Sequence, residues 1–184
     1  MKIRKGFVTN SSSTNFIFGF KGDTIDDLVK AIQNHPDAFD LIYEGGWKEP
    51  IYYKCNADDV TKAIVKVFSK EPEKYDFMKL QIRDPSEVIK EEEKSFADNK
   101  EWEKEYEKDN PSYHFNDDYI EKMYNKKILY LKEIAERGMS VLEIEFGDNH
   151  GHIEGGDLGM AMDYEGRYIE IFSDDLIVVT EQNR

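Results

Sequence analysis

Met139-Ser140-Val141-Leu142-Glu143-Ile144-Glu145-Phe146, answered after a glycine-rich interval by Leu176-Ile177-Val178-Val179-Thr180, is the part of the chain that decides the fold. In the first run Val141, Ile144 and Phe146 bracket the acidic Glu143 and Glu145. The second run is apolar and rich in β-branched residues, as a strand covered on both faces should be. Between them Met160 and Met162 alternate with Ala161 and Asp163, and Tyr168, Ile169 and Ile171 resume after the turn Tyr164-Glu165-Gly166-Arg167. The spacing predicts strands over residues 141–146, 160–163, 168–172 and 176–180. Short connections favour antiparallel neighbours, so residues 139–184 read as a core β-meander.

Working outward, the best helix of the chain precedes this sheet. Asn116 caps it, and Ile120, Met123, Tyr124, Ile128, Leu131, Ile134 and Ala135 recur at helical spacing until Gly138 ends it at 137. It should pack on one face of the sheet. Residues 85–108 are also helical in pattern but polar nearly all round, with Glu91-Glu92-Glu93 and then Glu101, Glu103, Glu105 and Glu107 in alternation. Residues 85–138 therefore read as an inserted helical hairpin, one arm packed and one acidic and exposed. Further upstream come two strand–helix units. Thr24 with Asp27, and Asn56 with Asp59, stand three residues apart at the starts of apolar-faced helices, as capping pairs do. The whole, residues 1–184, reads as a single α+β domain with a mainly antiparallel sheet and packed helices.

Charge is the most informative global property. The chain has a net charge of −14. Residues 84–122 carry 14 acidic against 6 basic side chains, and residues 139–184 carry 11 against 2. Such a field repels phosphate backbones, so free nucleic acid is not expected as a partner, whereas a basic protein surface is. Solubility alone is the plainer account of the same charge. The single cysteine, Cys55, suits a reducing compartment. No apolar run reaches membrane-spanning length, which leads to an expectation of a cytoplasmic protein without membrane partners.

The segment Gly6-Phe7-Val8-Thr9-Asn10-Ser11-Ser12-Ser13-Thr14-Asn15-Phe16 sets five short polar residues between two apolar runs. Such side chains hydrogen-bond nearby backbone and favour turns. With no histidine close in sequence and no Gly-Lys-Ser/Thr, a structural turn outweighs a nucleophile or a phosphate loop. This segment resembles a recurrent N-terminal Gly-Phe-Val-Ser-Asn-Ser-Ser-Ser-Ser-Ser-Phe motif. That motif heads many small, mostly uncharacterised proteins of bacteria, their phages and mobile elements. The resemblance implies a phage or mobile-element setting and carries over no catalytic residue.

No run of residues spells out a reaction. The strongest local constellation is Asp148-Asn149-His150-Gly151-His152-Ile153-Glu154. Were it extended, Asp148, His150, His152 and Glu154 would share one face and offer two imidazoles and two carboxylates to a divalent metal such as zinc or manganese. The flanking glycines favour instead a hairpin loop with solvated histidines, and no cofactor pattern is recognised elsewhere. Cys55 reads as a small core residue rather than a nucleophile, and His35 as a cation at a helix end.

The first expectation for function is an acidic binding protein. In that reading Glu101, Trp102, Glu103, Glu105, Tyr106 and Glu107 dock on the basic groove of a nucleic-acid enzyme, such as a CRISPR or restriction nuclease, and block it. The alternatives are a metal-dependent hydrolase or nuclease using Asp148, His150, His152 and Glu154, and an accessory structural phage protein.

Overall fold

The computed structural model describes residues 13–45, 51–69, 80–112, 117–147, 153–154 and 156–183. In chain order these form β1 (Ser13–Phe20), α1 (Ile25–Gln33), β2 (Leu41–Gly45), β3 (Ile51–Cys55), α2 (Ala57–Phe68), α3 (Pro85–Asp109) and α4 (Asp117–Glu136). After them come β4 (Ser140–Gly147), β5 (Ile153–Glu154), α5 (Gly156–Tyr164), β6 (Ile171–Phe172) and β7 (Leu176–Asn183). The fold is α+β. One sheet has the order β5-β4-β1-β7-β6, antiparallel except for the β4–β5 pair, and β2–β3 is a separate antiparallel hairpin.

The expected meander is corrected by this order. β4 and β7 are not joined through neighbours of their own but flank β1 over its full length, with Phe18 registered against Leu142 on one side and Val178 on the other. The reason lies in β1 itself. Phe16, Phe18 and Phe20 point to one core and Ile17 to the other, all fully buried, so the strand needs cover on both faces and fits only in the middle. Burying each phenylalanine contributes about 1.5–3 kcal/mol. Phe16 also meets Phe146 of β4 edge-on at 5.2 Å.

Two other expectations change. Residues 160–163 are not a strand but lie in α5. Ala161, Met162 and Asp163 are buried in succession, which a half-buried strand does not allow, and Leu, Met and Ala are good helix formers. Of 168–172 only Ile171–Phe172 is strand, because a short 3-10 turn occupies Gly166–Tyr168.

The sheet separates two cores. On one face α1, α2, α5 and the β2–β3 hairpin cover Phe16, Phe18, Phe20, Leu142, Ile144, Phe146 and Val178. On the other, α4 and the start of α3 cover Ile17, Val141, Ile177 and Val179 with Ile128, Leu131, Ile134 and Val88. α4 approaches so closely that a Cβ on Gly19 of β1 would sit 2.5 Å from Ile134 Cγ1. Two helix starts read from the sequence are capping boxes, Thr24 with Asp27 and Asn56 with Asp59, while Asn116, read as the cap of α4, lies outside the described residues. α4 ends in a Schellman turn: Gly138 takes φ +64°, its N–H bonds Ala135 O, and Met139 N–H bonds Ile134 O.

Candidate interaction surface

α3 and α4 lie side by side as an antiparallel pair. Val88 and Ile89 pack with the α4 residues of the second core, Glu92 reaches Lys127, and Phe96 stacks on Tyr124 at 4.0 Å. Pro85 at the first turn and the Asp84 carboxylate accepting from Ser86 N–H fix where α3 begins. At the base, Lys127 Nζ stands 3.0 Å from Glu92 Oε1 and 3.3 Å from Glu143 Oε1, tying α3, α4 and β4 through one 10% exposed ammonium. Burial, with Glu93 and Glu92 nearby, raises the pKa of the Tyr124 hydroxyl.

Helical geometry divides the row of glutamates. Positions 92, 96, 103 and 107 share the side turned to α4. Glu103 is accordingly buried, with Lys100 Nζ 3.7 Å from its Oε2, and Glu107 is half-buried. Of the four glutamates expected to contribute to a contact, only some of which can face a partner at once, Glu103 belongs to the arm's interior. Glu101 and Glu105, one turn apart, are exposed. Beside them Trp102 and Tyr106 form a pair with centroids 5.2 Å apart, 41% and 37% exposed. Tyr119, across on α4, is exposed as well.

Asp148, His150 and His152 lie outside the described residues, and of Glu154 only the backbone is described, registered in parallel with Gly147. Among the described residues no group of three or more His, Cys, Asp or Glu is gathered to hold a metal ion. Burial, reinforced by Asp59, pushes the Cys55 thiol up to about 12, so at neutral pH it is protonated and unreactive.

Sequence reading missed a polar cluster that joins distant segments. His35 Nε2 is 3.0 Å from Asp175 Oδ1 and 3.1 Å from Ser173 Oγ, while Asn34 Nδ2 donates to Asp175 Oδ2 at 2.8 Å. Those bonds, from His35 foremost and then Asn34 and Ser173, hold the Asp175 carboxyl well below the usual carboxylate range. A hydrolytic triad needs acid and nucleophile on opposite ring nitrogens. Here both meet Nε2, and Ser173 Oγ also accepts from Leu176 N–H at 2.9 Å, so the cluster fastens the end of α1 to the β6–β7 turn. No spacing could have shown it, because the partners stand 140 positions apart. A second missed contact gives the polar segment before Phe16 a structural use. Thr14 Oγ1, 2.9 Å from Asp163 Oδ1, is buried with it at the junction of β1 and α5.

No helix among the described residues is long and apolar enough to cross a membrane. Comparison with protein-family models, with curated proteins and with solved structures found no match to this chain.

Proposed function

We propose that the chain is a protein-binding module. It docks the outward side of α3 on a basic protein surface of the kind that nucleic-acid enzymes present to their substrate. In the phage or mobile-element setting implied by residues 6–16, the fitting target is a CRISPR or restriction nuclease whose groove would be occluded. One observation carries the reading. Glu101 and Glu105 stand one turn apart on the solvent side of α3, with Trp102 and Tyr106 exposed beside them. Aromatic side chains that are already stiff anchor an interface, and a surrounding carboxylate rim steers a cationic partner toward it.

The test is capture of nucleases by the immobilised protein, with duplex DNA as competitor, followed by kinetics. The reading expects DNA to displace the captured enzyme. Reversing Glu101 and Glu105 to lysine should slow association on the order of tenfold at low salt and less at high salt, as rim charges do. Trp102→Ala should speed dissociation about 30-fold, equivalent to ~2 kcal/mol of a buried anchor. Capture indifferent to DNA, or association rates untouched by the charge reversal, would leave the arm as a solubilising surface only.

A further inference from the structure

Arg167 is an arginine that the fold leaves without a carboxylate. Arg83 is paired with Glu91 and Arg137 with Glu133, but among the described residues no acidic side chain pairs with Arg167. Its Nε is closed off from water and has no hydrogen-bond partner. A charged donor left in that state is costly, so the cation needs other support. That support is aromatic. The guanidinium carbon lies 5.7 Å from the ring centre of Tyr164 and 5.1 Å from that of Tyr168. Tyr164 is stacked in turn on Tyr43 at 4.4 Å, and Tyr43 on Tyr53 at 5.8 Å. The β2–β3 hairpin and α5 thus share one ladder of tyrosines that leads to the arginine.

The backbone beneath Arg167 is held on all sides. Tyr168 N–H bonds Glu165 O, Ile169 N–H bonds Gly166 O, and Thr180 Oγ1 donates to the Arg167 carbonyl at 2.7 Å. A Cβ on Gly166 would stand 3.0 Å from Phe16 Cζ, so the turn lies closely against the first core. Arg167 and Tyr168 are therefore preorganised, which lowers the cost of holding a ligand. With Nε enclosed, an approaching anion meets the terminal Nη pair, whose spacing matches two oxygens of one acid group. Tyr168, 67% exposed, offers an open ring beside it.

Charge narrows the ligand. Residues 139–184 carry 11 acidic side chains against 2 basic, of which Arg167 is one, in a chain of net charge −14. In that field a dianion or polyanion is repelled more strongly than a monoanion. We propose that Arg167 and Tyr168 form a binding site for a small aromatic carboxylate of single negative charge. Its carboxylate accepts two charge-assisted bonds from the Nη pair, and its ring stacks on Tyr168. The site stands on the turn after α5, apart from Trp102 and the glutamates of α3, and does not depend on them.

Titration of the full chain with naphthoate, followed by nuclear magnetic resonance at the Arg167 side chain, tests the proposal. Saturable binding with Kd on the order of 1 mM or below is expected, the scale set by a ligand of this size. Arg167→Lys, which keeps the charge but not the fork, should weaken it about tenfold, and Arg167→Met should abolish it. Tyr168→Ala, at an exposed position that leaves folding intact, should weaken it roughly fivefold. Naphthalenemethanol, which has the ring without the charge, should not bind at Arg167, and naphthyl phosphate above pH 7, as a dianion, should bind less tightly than naphthoate. No saturation by naphthoate at ~10 mM overturns the proposal. So does equal binding of the neutral alcohol, tighter binding of the phosphate, or naphthoate binding unchanged in Arg167→Met with circular dichroism unchanged.

Discussion

Replacing Lys127 by methionine keeps most of the side-chain volume and removes the charge that holds Glu92 of α3 and Glu143 of β4 to α4. Breaking a fully buried ion pair by deleting one partner costs about 3–5 kcal/mol, because the remaining charge is left without compensation. Lys127 is nearly buried, but the two carboxylates are 33% and 31% exposed, so water takes over part of the lost interaction. The expected loss is therefore ~2 kcal/mol, which for a chain of this size lowers Tm by roughly 5 °C. Urea unfolding should show a lower midpoint with an unchanged slope, the signature of lost stability without a changed degree of exposure. The control is the triple variant Lys127→Met, Glu92→Gln, Glu143→Gln. If uncompensated carboxylates are the cause, it recovers at least half of the loss. A loss below ~0.5 kcal/mol, the range of an ordinary surface pair, would refute the argument. So would a loss that the two glutamine exchanges leave untouched.

Gly19→Ala should destabilise by about 1–3 kcal/mol through overpacking against Ile134, and in an Ile134→Ala background the same exchange should cost less in denaturant titrations. Asp175 has a folded pKa below its unfolded value. Its contribution is thus present above the unfolded carboxylate range and is lost as pH falls through the folded value. Asp175→Asn should therefore lower stability at neutral pH and flatten the acid limb of the unfolding profile; an acid limb identical to that of the parent would contradict the hydrogen-bond assignment. The Cys55 thiol should resist a thiol reagent at pH 7 in the folded protein and react at once in denaturant; rapid native labelling would contradict its burial.

Local signals were legible wherever the chain's own neighbours determine the outcome. Thr24 with Asp27, Asn56 with Asp59 and Gly138 after α4 specify helix ends through bonds spanning three to five residues, and these formed as read. The arrangement of strands was not legible from the same kind of signal. Phe16-Ile17-Phe18 declares a strand apolar on both faces, yet nothing in those residues names Leu142 and Val178 as its neighbours. Residues 160–163 misled because four residues of alternation fit a helix turn as well as a strand, and only burial on consecutive positions tells them apart. On the arm, alternation spreads the carboxylates round the helix, so that only some can face a partner, without saying which. Helical phase, which depends on where α4 lies, withdrew Glu103 and left Glu101 and Glu105 outside.

The central place of β1 bears on how the molecule is made. Phe20 pairs with Ser140, 120 positions later, and with Leu176, 156 positions later. During synthesis the phenylalanine-rich strand therefore emerges long before either neighbour exists. The α3–α4 hairpin, whose contacts are local, can form in the meantime, but the sheet must wait for β7 to leave the ribosome. Pairing at such separations closes large loops and is slow. Through that interval Phe16, Phe18 and Phe20 offer an unpaired apolar strand to other nascent chains. The yield of folded protein should thus depend on temperature and chaperone supply more steeply than the stability of the finished fold does.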